Sequence, residues 1–149
     1  MKRSLQLIVL LLLAISCHSK DDCGDCFTPP PQLNFDIVDA ITGETLFLNE
    51  TLTAESLRVY DELGAKVEFE LVFQRERYII SLNEIGWELE SKIYTIELSP
   101  DIKVFFELDM DQVSSDCYTY FEVKEFNVLD YEYEELVPTG IIQIKIELN

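Results

Sequence analysis

The chain has 149 residues, enough for one folded domain. Its 29 acidic residues against 11 basic ones give a net charge of −18, a field that repels phosphate backbones and excludes nucleic-acid binding. The single histidine, His18, lies near the N-terminus, which excludes the usual Ser-His and Cys-His catalysis in a domain that begins later. We therefore expect a protein that is not an enzyme. Its charge serves solubility, or it attracts cations and basic protein faces.

Residues 1–16 have the pattern of an export signal. Residues 1–3 supply positive charge, and residues 5–15 form an apolar run that only one glutamine interrupts. That run is too short to cross a bilayer as a helix, which needs about 20 residues. Residues 14–16, Ala-Ile-Ser, then lead directly into Cys17. We expect cleavage before Cys17.

Residues 14–17 resemble the lipobox of bacterial lipoproteins. The resemblance implies that Cys17 is diacylated and becomes the first residue of a membrane-anchored chain. Two or three acyl chains hold a protein on a membrane essentially permanently. The alternative is an ordinary secreted protein in which Cys17 forms a disulfide.

Residues 20–22, Lys-Asp-Asp, follow the anchor closely and resemble the surface-export signal of Bacteroidota lipoproteins. This resemblance implies a domain on the outer face of the outer membrane. A domain that faces the periplasm is the alternative.

Residues 17–32 are expected to form a tether. They are polar up to three consecutive prolines at 29–31, which favour polyproline II, a semi-rigid spacer. Cys23 and Cys26 have the spacing of a redox C-x-x-C pair, but no helical pattern follows them, as that motif requires. We therefore expect structural rather than redox cysteines here.

Three cysteines remain after acylation of Cys17, in an oxidising compartment: Cys23, Cys26 and Cys117. A bridge from Cys117 to Cys26 or Cys23 would close a loop of about 90 residues, worth about 4.5 kcal/mol in the chain-entropy model. It would fasten the tether to the domain. A local bridge between Cys23 and Cys26, with Cys117 free, is the alternative.

From Leu33 onward, apolar residues alternate with polar ones at a period of two, which predicts strands with one face in a core and one in solvent. Turn residues such as Gly and Pro separate the alternating runs. The only helical signal is a single turn around 52–56. The sequence therefore predicts an all-β domain over residues 33–149, a two-sheet antiparallel β-sandwich. The predicted strands are 33–38, 45–48, 56–60, 67–73, 77–81, 92–98, 102–108, 118–123, 128–134 and 142–148.

Residues 39–47 read D-A-I-T-G-E-T-L-F and resemble the first strand and turn of transthyretin-like, carboxypeptidase-regulatory-like sandwiches. With I-G-W at 85–87, the order of motifs also resembles that of small Bacteroidota outer-membrane lipoproteins. The resemblance implies an Ig-like or transthyretin-like sandwich. It implies no activity, because a sandwich by itself specifies none.

Residues 109–116 are the best candidate for a metal site. Asp109, Asp111 and Asp116 could supply hard oxygen ligands to calcium, although the segment lacks the glycine and terminal glutamate of an EF-hand loop. The alternative is a polar hairpin between two strands.

Tyr131 and Tyr133 are the best candidates for a binding surface. Alternation puts both on one strand face, where they either form a protein or glycan contact strip or fill the core. Trp87 is expected to pack in the core or on a turn, with a sugar platform as the alternative.

We therefore expect a non-enzymatic lipoprotein that acts as a protein-binding accessory subunit of the cell envelope, with no cofactor beyond the lipid on Cys17. A calcium- or glycan-binding surface domain is the alternative.

Overall fold

The computed structural model describes residues 26–48, 52–115 and 118–148. These residues form ten strands and no helix. The strands are β1 (Cys26–Thr28), β2 (Leu33–Asp39), β3 (Arg58–Tyr60), β4 (Glu70–Gln74), β5 (Arg77–Leu82), β6 (Lys92–Ser99), β7 (Ile102–Ser114), β8 (Tyr118–Val128), β9 (Glu132–Leu136) and β10 (Ile141–Ile146).

The strands form two five-stranded sheets, which confirms the predicted all-β sandwich. The first sheet has the order β1-β8-β7-β6-β3, and the second has the order β4-β5-β2-β10-β9. Most pairings are antiparallel, but β1 pairs with β8 and β2 with β10 in parallel. Each parallel pair joins an early strand to a late one, so the two ends of the domain are held together within the sheets.

The core lies between the sheets and follows the period of two. Along β6 and β7, every second residue is buried. Phe35 of β2 meets Phe106 of β7 with ring centroids 5.1 Å apart, and Tyr94 of β6 stacks on the same Phe106 at 5.3 Å. These contacts across the interior bury large apolar side chains, which is the main favourable contribution to folding.

Two predicted strands, 45–48 and 67–73, differ from the structure in more than their end residues. Residues 45–48 form no strand, since only Thr45 makes a bridge, to Val38. The run 67–73 divides: Val67 donates a backbone hydrogen bond to Val59 beside the first sheet, and β4 begins in the second sheet at Glu70. The alternation of apolar and polar residues predicts a strand but not the sheet that the strand joins. A segment that crosses from one sheet to the other can therefore alternate without interruption.

The outer face of the second sheet is less exposed than alternation predicts. Asp36 alternates with core residues of β2, yet its side chain is fully buried. Arg77 pairs with it from β5, and the side-chain amide of Gln143 on β10 donates to it at 3.2 Å. Because β2 is the central strand, both neighbours reach this carboxylate, and a polar residue is buried outside the hydrophobic core.

Candidate functional site

Three aromatic rings meet at the end of the sandwich where the chain enters the domain. We call Phe27, Trp87 and Phe121 the aromatic cluster. Phe27 and Trp87 stack with ring centroids 6.0 Å apart and an interplanar angle of 11°. Phe121 meets Trp87 at 5.6 Å and Phe27 at 6.0 Å, each edge to face.

Strand pairing brings two of these rings together. In the parallel pair β1·β8, Phe27 lies opposite Thr119. The side chains of Thr119 and Phe121 project from the same face of β8, because they are two residues apart. The ring of Phe27 is therefore placed beside that of Phe121 although 93 residues lie between them in the sequence.

Trp87 comes from the loop between β5 and β6, and the residue before it makes the approach of the chain possible. Gly86 has φ +88°, and a Cβ there would lie 3.0 Å from the Cβ of Pro30 and 3.4 Å from Cε of Met110. Glycine therefore lets residues 27–30 lie against this loop. The I-G-W motif therefore packs against the segment that leads into the domain.

The aromatic cluster is only partly covered. Phe27 is 55% exposed and Trp87 is 46% exposed, although both side chains are large and apolar. A soluble protein gains by covering such rings, and a contiguous exposed aromatic patch is typical of an interaction surface. Trp87 thus packs on a neighbouring ring instead of in the core, and about half of its surface stays exposed.

An acidic cleft adjoins Trp87. It has a volume of about 210 Å³ and lies between the turn after β3 and the loop before β6, with Trp87 and Tyr94 in its wall. Its charged lining consists of four carboxylates and one ammonium group: Asp61, Glu62, Glu84, Glu88 and Lys92. The lining is net negative.

Lys92 is the one cation in this lining and it is already paired. Its Nζ lies 2.7 Å from Oε1 of Glu62 and 3.3 Å from Oε2 of Glu88. The hydrogen bond to Glu62 is the main reason that the pKa of Lys92 is raised. Glu84 is exposed and has no hydrogen bond or ion pair within the described part of the chain. The cleft beside Trp87 therefore contains more carboxylates than the single lysine can neutralise.

Two of the three predicted calcium ligands lie on a strand. Asp109 and Asp111 both lie on β7, and Asp109 is bound by Lys124, with Nζ 2.6 Å from its Oδ2. Asp116 lies outside the described residues. Among the described residues, no group of three or more His, Cys, Asp or Glu side chains could hold a metal ion. The extended hairpin of β7 and β8 agrees with the alternative interpretation of this segment.

The predicted tyrosine strip turns toward the core. Tyr133 lies opposite Ile144, a fully buried core residue, so both side chains are on the inner face of the second sheet. Its hydroxyl donates to the backbone carbonyl of Phe126 at 3.1 Å, and its ring meets that of Phe126 at 5.6 Å. Tyr131 packs against the core as a partly buried residue. Tyr131 therefore fills the edge of the core, whereas Tyr133 faces inward at the edge of the sandwich and stays 36% exposed.

Of the cysteines singled out, the structure describes only Cys26. It is exposed at the start of β1, opposite Tyr118 of β8, and it forms no disulfide with another described residue. Cys17, Cys23 and Cys117 lie outside the described residues, so acylation and the disulfide pairing stay predictions.

Sequence reasoning placed Phe27 in a tether and did not select Phe121 or the acidic cleft. The one feature of the sequence that could have pointed to this site is Phe27 itself, because a spacer segment before the prolines does not need an aromatic residue.

No described segment contains a helix long and apolar enough to cross a membrane. No protein-family model, curated protein or solved structure matches this chain.

Proposed function

We propose that this chain is a non-enzymatic lipoprotein, anchored in the outer membrane through acylated Cys17, that acts as a protein-binding accessory subunit of the cell envelope. The observation that carries the proposal is the aromatic cluster, which leaves two stacked rings about half exposed beside an acidic cleft.

The chemistry of this surface selects a type of partner. Exposed tryptophan and phenylalanine rings supply large contact areas at little cost in side-chain entropy. A lysine or arginine side chain of the partner can lie over the face of Trp87, where the ring and a carboxylate such as Glu84 both attract it. The partner therefore presents a surface with apolar and basic residues.

The position of the cluster limits where the partner lies. Nine residues separate Cys17 from Phe27. A segment of that length spans about 35 Å when fully extended. An acylated Cys17 would thus keep the aromatic cluster close to the membrane surface, which favours a partner embedded in or attached to the same membrane.

Co-purification tests the proposal. The tagged full-length protein, solubilised from membranes in mild detergent, is expected to recover one envelope protein reproducibly, and Trp87→Ala is expected to lose it. The matched control is Ile41→Ala, since Ile41 is also exposed but lies on a distant turn. Equal melting temperatures of the two variants would exclude unfolding as the cause of the loss.

Two results would contradict the proposal. One is recovery of the protein alone in repeated purifications. The other is a partner that Trp87→Ala retains as well as the parent does.

Glycan binding is a second candidate because one face of a partly exposed tryptophan, next to carboxylates, is also suited to stacking on a sugar ring. Since Trp87 is the only tryptophan, its fluorescence reports binding directly. A change in that fluorescence on titration with envelope polysaccharide, with no protein partner present, would favour the glycan interpretation.

A further inference from the structure

β4 is an open edge of the second sheet. Of the four edge strands that the structure describes, β1 and β3 have three residues each, and β9 carries three glutamates at 132, 134 and 135. β4 has five residues, with Val72 38% and Phe73 57% exposed. Edge strands are normally protected by charges, prolines, bulges or short length. The apolar centre of β4 has none of these protections.

The open backbone groups of β4 belong to Leu71 and Phe73. Residues 75 and 76 form a two-residue turn with positive φ, closed by the pair Gln74 and Arg77. Hydrogen-bonded pairs alternate along an antiparallel ladder, so Gln74 and Val72 direct their N–H and C=O groups toward β5. Leu71 and Phe73 direct theirs away from the sheet, where another strand can bind them.

The two ends of β4 carry opposite charges that are free to pair. Glu70 begins the strand and Arg75 follows its last residue. Within the described residues, neither side chain has a hydrogen bond or an ion pair. An antiparallel strand with the same sequence would bring Arg75 of each copy toward Glu70 of the other.

We propose that β4 pairs with β4 of a second copy of this chain, antiparallel and two-fold symmetric about Val72. In this register Leu71 lies opposite Phe73 of the second copy, and the two residues exchange backbone hydrogen bonds. The two Val72 side chains meet on the axis, and the second sheets join into one of ten strands. The apolar centre is covered and both charged ends are paired, as a self-complementary two-fold interface requires. This inference is independent of the proposed partner at the aromatic cluster.

The symmetry is compatible with attachment of both copies to one membrane. The two-fold axis of such a pair is perpendicular to the joined sheet, so equivalent atoms lie at equal heights along it. Cys26 of each copy, at the edge of the first sheet, is therefore on the same side of the joined sheet. Anchoring in a plane also raises the effective concentration of the two copies.

Cysteine cross-linking in membranes tests the pairing. In the proposed register the two Val72 residues form a non-hydrogen-bonded pair, whose Cα atoms are about 4.5 Å apart, within the range of a disulfide. Mild oxidation of Val72→Cys is expected to give a covalent dimer of the full-length protein. The parent chain shows the background from its native cysteines, and Glu134→Cys on the β9 edge is the matched control.

Three results would overturn the proposal. The first is a dimer yield for Val72→Cys no higher than that of the parent. The second is an equal yield for Glu134→Cys, which would show random collision. The third is a cross-link from Val72→Cys to a protein of another mass, which would replace the second copy by a different occupant.

Charge reversal tests the register itself in the Val72→Cys background. Glu70→Arg alone and Arg75→Glu alone each place like charges together at both ends of the interface. Each is expected to lower the cross-link yield about fivefold. The double reversal restores opposite charges and is expected to restore the yield. A double variant that stays as low as the single ones would overturn this register.

Discussion

Pro30 and Gly86 touch where the chain enters the domain: a Cβ atom on Gly86 would lie 3.0 Å from the Cβ of Pro30. We expect Gly86→Ala to lower the free energy of unfolding by about 2–3 kcal/mol, through its positive φ and this clash together. Urea unfolding measures the change.

Gly64→Ala is the matched control for this prediction. Gly64 has a similar φ of +80°, but nothing lies within 4 Å of its Cβ position. Gly64→Ala should therefore lower the free energy of unfolding only through the positive φ, by about 1 kcal/mol. Equal decreases in the free energy of unfolding would show that Pro30 does not pack closely against Gly86.

Phe27→Ala is expected to expose Trp87, because Phe27 covers one face of the indole. The emission of this single tryptophan should shift to longer wavelength, and acrylamide should quench it more strongly. Phe73→Ala removes an exposed ring that instead contacts Tyr78, so it should leave the emission unchanged. An unchanged spectrum for Phe27→Ala would mean that β1 does not hold this ring against the domain.

Arg77→Ala is expected to cost about 2–4 kcal/mol, since it leaves the buried carboxylate of Asp36 without its cation. Lys66→Ala breaks an exposed pair with Glu68 and should cost less than about 0.5 kcal/mol. Adding Asp36→Asn to Arg77→Ala should recover part of the loss. Thermal unfolding of the four proteins measures these differences, and similar costs for Arg77→Ala and Lys66→Ala would contradict the prediction.

Asp39 makes stability depend on pH in a defined direction. The backbone N–H of Thr42 donates to its Oδ1 at 2.7 Å and is the main reason that the pKa of Asp39 is lowered in the folded protein. A lowered pKa in the folded state stabilises the protein above the unfolded-state value of about 3.9. That contribution is lost as the pH falls through the folded-state pKa.

Asp39→Asn isolates this effect from the other acidic residues. The stability difference between the parent and this variant should be constant above about pH 5 and should shrink below about pH 4. Urea midpoints across this range measure it. A difference that does not change with pH would show that Asp39 has the same pKa in both states.

A disulfide between Cys26 and Cys117 remains a prediction of the sequence. Cys26 pairs with Tyr118 across β1·β8, and Cys117 directly precedes Tyr118 in the chain. Peptide mapping without reduction is expected to recover a peptide that links Cys26 to Cys117. A Cys23–Cys26 peptide with Cys117 alkylated would instead establish the local bridge.

The alternation of apolar and polar residues predicted the strands well where a strand pairs with a neighbouring strand on each side. The predicted runs 92–98 and 102–108 lie within β6 and β7. It failed at 45–48, where the chain makes only a bridge, and at 26–28, where a segment expected in the tether joins β8. Pairing between distant segments decided these cases, and short-range patterns do not record it.

The candidate site was also predictable from the sequence only in part. Trp87 was singled out from the sequence, whereas its contacts with Phe27 and Phe121 depend on the loop before β6 and on the register of β1 with β8. For Tyr133 the sequence left two faces open, and the pairing with Ile144 selected the inner one.

By itself, the sequence determined the all-β class and the acidic surface, because side-chain alternation and charge are local properties of the chain. It also marked the turn at Asp39, where a short side chain bonds its own backbone. Only the tertiary structure decided which strands lie at an edge and which carboxylate is buried. It also decided which aromatic rings meet, because strand order and register join residues that are far apart in sequence.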